Sequence, residues 1–264
     1  MEEAQERLKR ELAQRGETAD TLYLEALILF KQKQHERSTD KLKRSLTLRK
    51  DDPEALLLLA RNAVVLNQLE LAESALKTSL QLAPAEPLAH LHLGLLYFTT
   101  NRFSLAESEF QALVRLDPTY MKGYDLLGLA QEELQGTDVV IATYQKAIEI
   151  AEKQHLHDES PYIHLARFLW RKNRFPESLP LAQRAVELNP DSSEAHCVLG
   201  MVLDKLGKLE QAVKALQKST QIDPQYAEAH YVLSRLYVKE GRQEEAQKEM
   251  QLFRESRKAV KANP

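Results

Sequence analysis

Histidine pairs are the residues of this sequence whose type and spacing point most directly to chemistry. His90 and His92 stand two residues apart, as do His155 and His157, with Asp158 directly after the second pair. Imidazole and carboxylate groups bind zinc when three or four of them converge on one point. Residues two apart on a helix project in different directions, however, and no set of further ligands has zinc-type spacing. The sequence therefore predicts no metal site and no cofactor.

Groups for covalent or acid–base catalysis are equally sparse. Cys197 is the one cysteine of the chain, so it forms no internal disulfide, and its place on a predicted helix favours a structural role. Glu132 and Glu133 are neighbours on a predicted helix and do not face each other. The sequence contains neither a glycine-rich phosphate loop nor a Gly-x-Ser-x-Gly elbow. We therefore expect no enzymatic activity.

The net charge and the length of the apolar runs limit which kinds of partner we expect. Lys and Arg number 36 against 39 Asp and Glu, a formal charge of -3, which argues against nucleic acid as the partner. The longest apolar runs, such as residues 91–98, fall far short of the roughly 20 residues of a membrane helix. The first residues are acidic where a signal peptide is basic. We expect a cytoplasmic protein without membrane insertion, or a periplasmic one if an N-terminal segment has been removed.

A repeated pattern indicates the elements that position these residues. Pro84 and Pro118 are 34 residues apart, as are Pro190 and Pro224, and each stands two positions after an apolar residue. This period predicts seven repeat windows, at residues 19–52, 53–86, 87–120, 121–154, 159–192, 193–226 and 227–260, with a short insertion at 155–158. Residues 1–18 are then an N-terminal capping helix or a truncated half repeat, and residues 261–264 form a C-terminal tail.

Each window reads as two helices that cross at small residues. With only 8 Gly and 10 Pro in the chain, the composition favours helix. The eighth position of the windows is small throughout, which allows two backbones to approach closely: Ala26, Ala60, Gly94, Gly128, Ala166, Gly200 and Ser234. Between the two helices stand residue types that tolerate the left-handed conformation ending a helix: Asn67, Asn101, Asn173, Gly207 and Gly241.

The windows resemble the tetratricopeptide repeat. The third window matches its pattern of conserved types through His90-x2-Leu93-Gly94-x2-Tyr97, then Ala106-x3-Phe110, then Pro118. The resemblance implies an all-α fold, an α-α superhelix of antiparallel helix pairs with the first helices on the concave side. It also implies packing roles for His90, His196 and His230, which stand where the family often has a large aromatic residue. The sequence departs from the family pattern at three positions. Glu25 stands at a usually buried Leu position, which predicts a loosely packed first repeat. Lys50 and Glu152 stand in place of the closing Pro.

The resemblance also indicates a binding groove, because several first-helix positions of the family usually face the concave side. The N-terminal half of the predicted groove is apolar, which is typical of a binding surface, although tight stacking of the repeats would bury some of its residues. The C-terminal half is polar with aromatic islands, and its cations call for acidic groups. The predicted partner-binding residues are Tyr23, Leu27, Phe30, Leu57, Arg61, Leu91, Leu95, Phe98, Arg167, Trp170, Arg171, Arg235 and Lys239.

Two specialised binding modes of the family are not expected here. The Lys, Asn and Arg residues that clamp the carboxylate tails of chaperones are replaced at the matching positions by Tyr23, Leu27, Leu58, Leu88 and His92. The ladder of Asn residues found in sugar-transferase members is also missing. We therefore expect a scaffold or adaptor that binds a peptide or helix of a partner protein. The alternative is a regulatory or targeting domain of a larger enzyme or of a secretion or assembly component.

Overall fold

The computed structural model describes Glu6 and residues 16–262 of the chain. From residue 16 onward the ordered elements are all helices: α1 (Ala19–Lys31), α2 (His35–Leu48), α3 (Pro53–Val65), α4 (Leu69–Leu82), α5 (Pro87–Thr99), α6 (Phe103–Leu116), α7 (Met121–Gln131), α8 (Thr137–Lys153), α9 (Ser160–Arg171), α10 (Phe175–Leu188), α11 (Ser193–Lys205), α12 (Leu209–Ile222), α13 (Ala227–Lys239) and α14 (Gln243–Ala262). No helix in this part is long and apolar enough to cross a membrane. The predicted cap or half repeat lies largely outside the described residues.

The starts of α3 and α11 follow from capping residues that the sequence places just before the apolar stretches. The Asp52 side chain accepts a hydrogen bond from the backbone N–H of Ala55 at the start of α3, and Pro53 occupies the first turn of that helix. Ser192 accepts in the same way from Ala195 at the start of α11. These side chains satisfy N–H groups that have no partner within the helix.

Left-handed residues connect the two helices of a window, as predicted. Asn67, Asn101 and Asn173 have φ between 55° and 60°, and Gly207 and Gly241 have φ of 76° and 74°. In the first window Lys33 occupies the equivalent place with φ 60°, a conformation that costs a residue with a Cβ about 1 to 2 kcal/mol. The first window therefore turns at the same place with a less suitable residue.

The described helices divide into two units. The first unit is Met1–Leu134 and the second is Gln135–Pro264, so the division falls between α7 and α8. Unit 1 has one core cluster, to which α1 to α7 contribute, and unit 2 has two. Within each unit consecutive helices pack as antiparallel pairs, which confirms the predicted fold class. The division of the chain into seven windows stays a prediction, and α14 extends to Ala262, into the predicted tail.

The close crossings of the paired helices coincide with the small residues. A Cβ added to Gly94 would stand 2.5 Å from the Phe110 ring, and one added to Gly200 would stand 2.5 Å from Cγ of Leu216. Ala26 and Ala166, at the same window position, are fully buried. Atoms of a second helix therefore occupy the space that a longer side chain would need.

Buried serines bond the two helices of a pair together. The Ser38 hydroxyl donates to the Ala26 carbonyl at 2.7 Å, and Ser178 donates to Ala166 at the same distance. A second set, which the sequence did not single out, donates from the second helix to the start of the first: Ser45 to Ala19 at 2.8 Å, Ser79 to Pro53 at 2.9 Å and Ser219 to Ser193 at 2.7 Å. Each bond satisfies a hydroxyl that burial would otherwise penalise.

Glu25 has an ion-pair partner inside the first repeat. Lys41 of α2 lies 2.8 Å from the Glu25 carboxylate, and both side chains are 24% exposed. The departure from the usual Leu is therefore accompanied by a compensating cation on the facing helix.

Three histidines bond the first helix of their window to the loop that precedes it. Nε2 of His90, His196 and His230 lies 3.0 to 3.1 Å from the carbonyl oxygen of the proline six residues earlier. In addition, Nδ1 of His230 lies 2.6 Å from the Glu249 carboxylate. Each ring thus joins a loop to the first helix, and the His230 ring also contacts the second helix α14, so their packing role includes hydrogen bonds.

We expect unit 2 to lose stability as the pH rises through the pKa of His230. Its two ring nitrogens face two acceptors, and only the imidazolium carries two N–H donors. The hydrogen bond to Glu249 raises the pKa of His230 above its usual value. A folded-state pKa above the unfolded one gives stability that is complete below about pH 6.5 and is lost as the pH rises through the folded pKa.

Denaturant unfolding of wild type and His230→Gln, followed by fluorescence, tests this expectation from about pH 5.5 to about pH 8.5. Trp170 is the only tryptophan and lies in unit 2, so its emission reports on that unit. The difference in stability between the two proteins should shrink toward high pH. A difference that is constant or grows would contradict the assignment.

Candidate protein-binding surface

Eight of the predicted residues lie on the first helices of unit 1. Helix α1 contacts α3, and α3 contacts α5, so the side chains of these helices lie on adjacent elements. All eight are partly buried, and the apolar ones pack against the unit 1 core. Stacking therefore buries part of each side chain and leaves part accessible. We call this set the unit 1 surface: Tyr23, Leu27, Phe30, Leu57, Arg61, Leu91, Leu95 and Phe98.

Two more apolar side chains on the same helices are more open. Val64 on α3 is 43% exposed and Leu88 on α5 is 50% exposed. Phe98 packs edge to face against Phe103, with ring centroids 5.5 Å apart, so its orientation is held by aromatic contact. The accessible apolar area on these helices is therefore larger than the accessible apolar area of the predicted residues alone.

Arg61 is the one cation of the unit 1 surface. Its guanidinium carbon lies 4.7 Å from the centroid of the Phe30 ring, a cation–π contact. Burial lowers the pKa of nearby His92, and the charge of Arg61 lowers it further, so His92 does not supply a second charge near neutral pH. Among residues 16–262, no carboxylate forms an ion pair with Arg61.

In unit 2, Arg167 is bound by carboxylates of the same unit. Its guanidinium contacts both Glu228 oxygens at 2.7 and 2.9 Å and Glu194 at 3.1 Å, and lies 3.4 Å from the Tyr226 hydroxyl. Burial would lower the pKa of Arg167, but Glu228 and then Glu194 raise it above the usual value. The network joins α9, α11 and α13. The sequence did not predict it, although Glu194 and Glu228 both stand second in their windows.

The other predicted residues of unit 2 make different kinds of contact within that unit. The Trp170 indole donates to the Met201 carbonyl at 3.2 Å, and Lys239 forms an ion pair with Asp204 at 2.6 Å. Arg171 and Arg235 are exposed, each with its guanidinium carbon 5.9 Å from an aromatic ring. Carboxylates of unit 2 thus already neutralise Arg167 and Lys239.

The cysteine and the histidine pairs do not form a common site in the described part of the chain. Cys197 is fully buried, and burial raises the pKa of its thiol, which disfavours the reactive thiolate. His155 and His157 are exposed in the loop before α9. Within the described part of the chain, no three His, Cys, Asp or Glu residues are grouped so as to hold a metal ion.

Known proteins resemble this chain in sequence pattern and in fold. Two family models described as tetratricopeptide repeat match it, one at residues 57–120 and 164–227 and the other at residues 205–258. No curated protein matches the sequence. A tetratricopeptide repeat protein from Parabacteroides merdae has a similar structure, with 13% identity, a TM-score of 0.76, and coverage of 90% of this chain and 93% of that one.

Two further structures share the fold. YrrB, described as a TPR protein with an unusual peptide-binding site, is 20% identical with a TM-score of 0.55, over 71% of this chain and 95% of its own. The Cut9–Hcn1 complex of the APC/C is 16% identical with a TM-score of 0.70, over 89% of this chain and 45% of that one. The matching models, the close crossings at small residues and the left-handed turns agree, and the chain belongs to the tetratricopeptide repeat family.

Proposed function

We propose that the chain is a protein-interaction scaffold or adaptor that holds a segment of a partner protein against the unit 1 surface. The observation that carries the proposal is the row of partly exposed aromatic and aliphatic side chains on three adjacent helices. Contiguous accessible apolar area of this kind is typical of sites that bind other proteins. The family membership supports the same function, as does the peptide-binding site described for YrrB.

The scaffold is proposed to be non-catalytic. The buried thiol of Cys197 supports this, because burial keeps it protonated and away from substrates. A regulatory or targeting domain of a larger enzyme or assembly component stays the alternative. That nucleic acid and the carboxylate tails of chaperones are not partners stays a prediction, as does the cytoplasmic location.

Phe98→Ala is expected to weaken partner binding by about 1 to 2 kcal/mol, because partly buried aromatic anchors carry a large share of binding energy. Leu105→Ala is the matched control, since Leu105 is an apolar side chain, 47% exposed, on the second helix α6 of the same unit.

The measurement is calorimetric titration with a partner purified from the source cell. Thermal melts of both variants first establish that they fold like wild type. If Leu105→Ala weakened binding and Phe98→Ala did not, the partner would bind elsewhere and the unit 1 surface would be the wrong site.

A further inference from the structure

Two arginines at the same repeat position have opposite surroundings. Arg61 is ninth in the window 53–86, and Arg167 is ninth in the window 159–192. Arg167 is bound by Glu194 and Glu228, which stand second in the next two windows. A carboxylate projecting from the second position of a following repeat can therefore reach an arginine at the ninth position.

Unit 1 lacks the acidic residues at those positions. The second positions of the two windows after Arg61 are Leu88 and Lys122. Tyr120 of unit 1 stands at the same repeat position as Tyr226 of unit 2. The two sites therefore share this tyrosine and differ in their carboxylates. Arg61 instead lies over the Phe30 ring, near Tyr23 and His92, and has no ion pair in residues 16–262.

An unpaired guanidinium on a partly buried apolar surface favours an anionic ligand group. Two parallel hydrogen bonds from the arginine fork to a carboxylate are stronger than neutral hydrogen bonds. Low local polarity strengthens the attraction further. The stacking on Phe30 also restricts the fork before any ligand arrives, which lowers the entropy lost on binding.

We propose that Arg61 binds a glutamate side chain of the partner segment, flanked by apolar side chains that occupy the rest of the unit 1 surface. The inference rests on the proposed function and adds the chemistry of the bound segment. A glutamate side chain is favoured because glutamates fill the equivalent site in unit 2. A chain-terminal carboxylate is disfavoured because one arginine offers a single bidentate contact, and Tyr23, Leu27, Leu58, Leu88 and His92 stand where a tail-binding clamp needs its polar residues.

Peptide selection on the full chain provides the probe. A library of about 16 random residues, displayed without a free C-terminus, covers the length of an extended or helical ligand segment. Selected sequences are then synthesised with acetylated and amidated ends, each in a Glu form and a Gln form. Affinities are measured for wild type, Arg61→Gln and Arg115→Gln, the last being a control at an exposed arginine on the second helix α6.

We expect the selected peptides to contain glutamate among apolar residues. The change from Glu to Gln in the peptide should cost about tenfold or more on wild type and on Arg115→Gln, and less than about twofold on Arg61→Gln. A second variant, Leu88→Glu, rebuilds the unit 2 arrangement in unit 1. Its carboxylate should pair with Arg61 and weaken binding of the Glu peptide about tenfold.

Several results would overturn the inference. They are selected peptides without acidic residues, an equal Glu-to-Gln effect on wild type and Arg61→Gln, a requirement for a free C-terminal carboxylate, or full binding by Leu88→Glu. Peptides that lose affinity with Phe98→Ala but not with Arg61→Gln would refute this inference alone. Peptides insensitive to both variants, or the failure to select any peptide, would refute the proposed function as well.

Discussion

Gly200→Arg is expected to lower the free energy of unfolding of unit 2 by about 3 kcal/mol or more, through overpacking and burial of a charge. Gly200 is at the crossing of α11 with α12, where an added Cβ would stand 2.5 Å from Cγ of Leu216 and 3.1 Å from the Ala212 carbonyl oxygen. The backbone atom cannot move aside as a flexible side chain would. A guanidinium placed there has no route to water without separating the two helices.

Denaturant unfolding followed by Trp170 emission measures this loss in unit 2. The control is Gly136→Arg, because nothing lies within 4 Å of a Cβ added at Gly136 and its φ is in the ordinary range. That variant should change stability by less than about 1 kcal/mol. Equal midpoints for Gly200→Arg and wild type would show that Gly200 is not at a close helix crossing.

Arg167→Ala is expected to destabilise unit 2 by about 2 kcal/mol, the size of lost hydrogen bonds to charged groups. The substitution leaves Glu194 and Glu228 without their shared cation, and both carboxylates then face each other across α11 and α13. Their side chains are 42% and 39% exposed, so water solvates them in part and limits the loss. The packed methylene groups of Arg167 add to it.

A double-mutant cycle separates the contribution of the ion pair to stability from the contribution of packing. Glu228→Gln should cost stability in wild type and cost less, or restore some stability, in the Arg167→Ala background. Lys214→Ala is the control, because its pair with Glu210 is 70% and 83% exposed, and such surface pairs contribute little. Additive effects of Arg167→Ala and Glu228→Gln would mean that the two side chains are not coupled.

Features that depend on one window could be predicted from the sequence. The left-handed turns at Asn67, Asn101 and Asn173 were predicted from residue type, since few residues tolerate that backbone conformation. The close crossings at Gly94 and Gly200 were predicted from the recurrence of small residues. Both are local consequences of a repeated pattern, and the structure confirms them.

Features that depend on stacking could not be predicted in the same way. The bond from Arg167 to Glu228 joins residues 61 positions apart, and the periodic pattern does not indicate which side chains of successive first helices meet. For the same reason the unit 2 cations were all expected to attract a partner's acidic groups, although carboxylates of unit 2 bind Arg167 and Lys239. The serines at Ser45, Ser79 and Ser219 recur in only some windows, so no periodic signal marked them.

The serine bonds have a consequence for how the chain folds. They join residues only 12 or 26 positions apart, and within each unit every helix packs against its sequence neighbours. Short separations of this kind mean low loop-closure entropy and are typical of fast folding that nucleates within a single pair and spreads outward. The bonds of Arg167 to Glu228 span three first helices, so they can form only after those helices have docked.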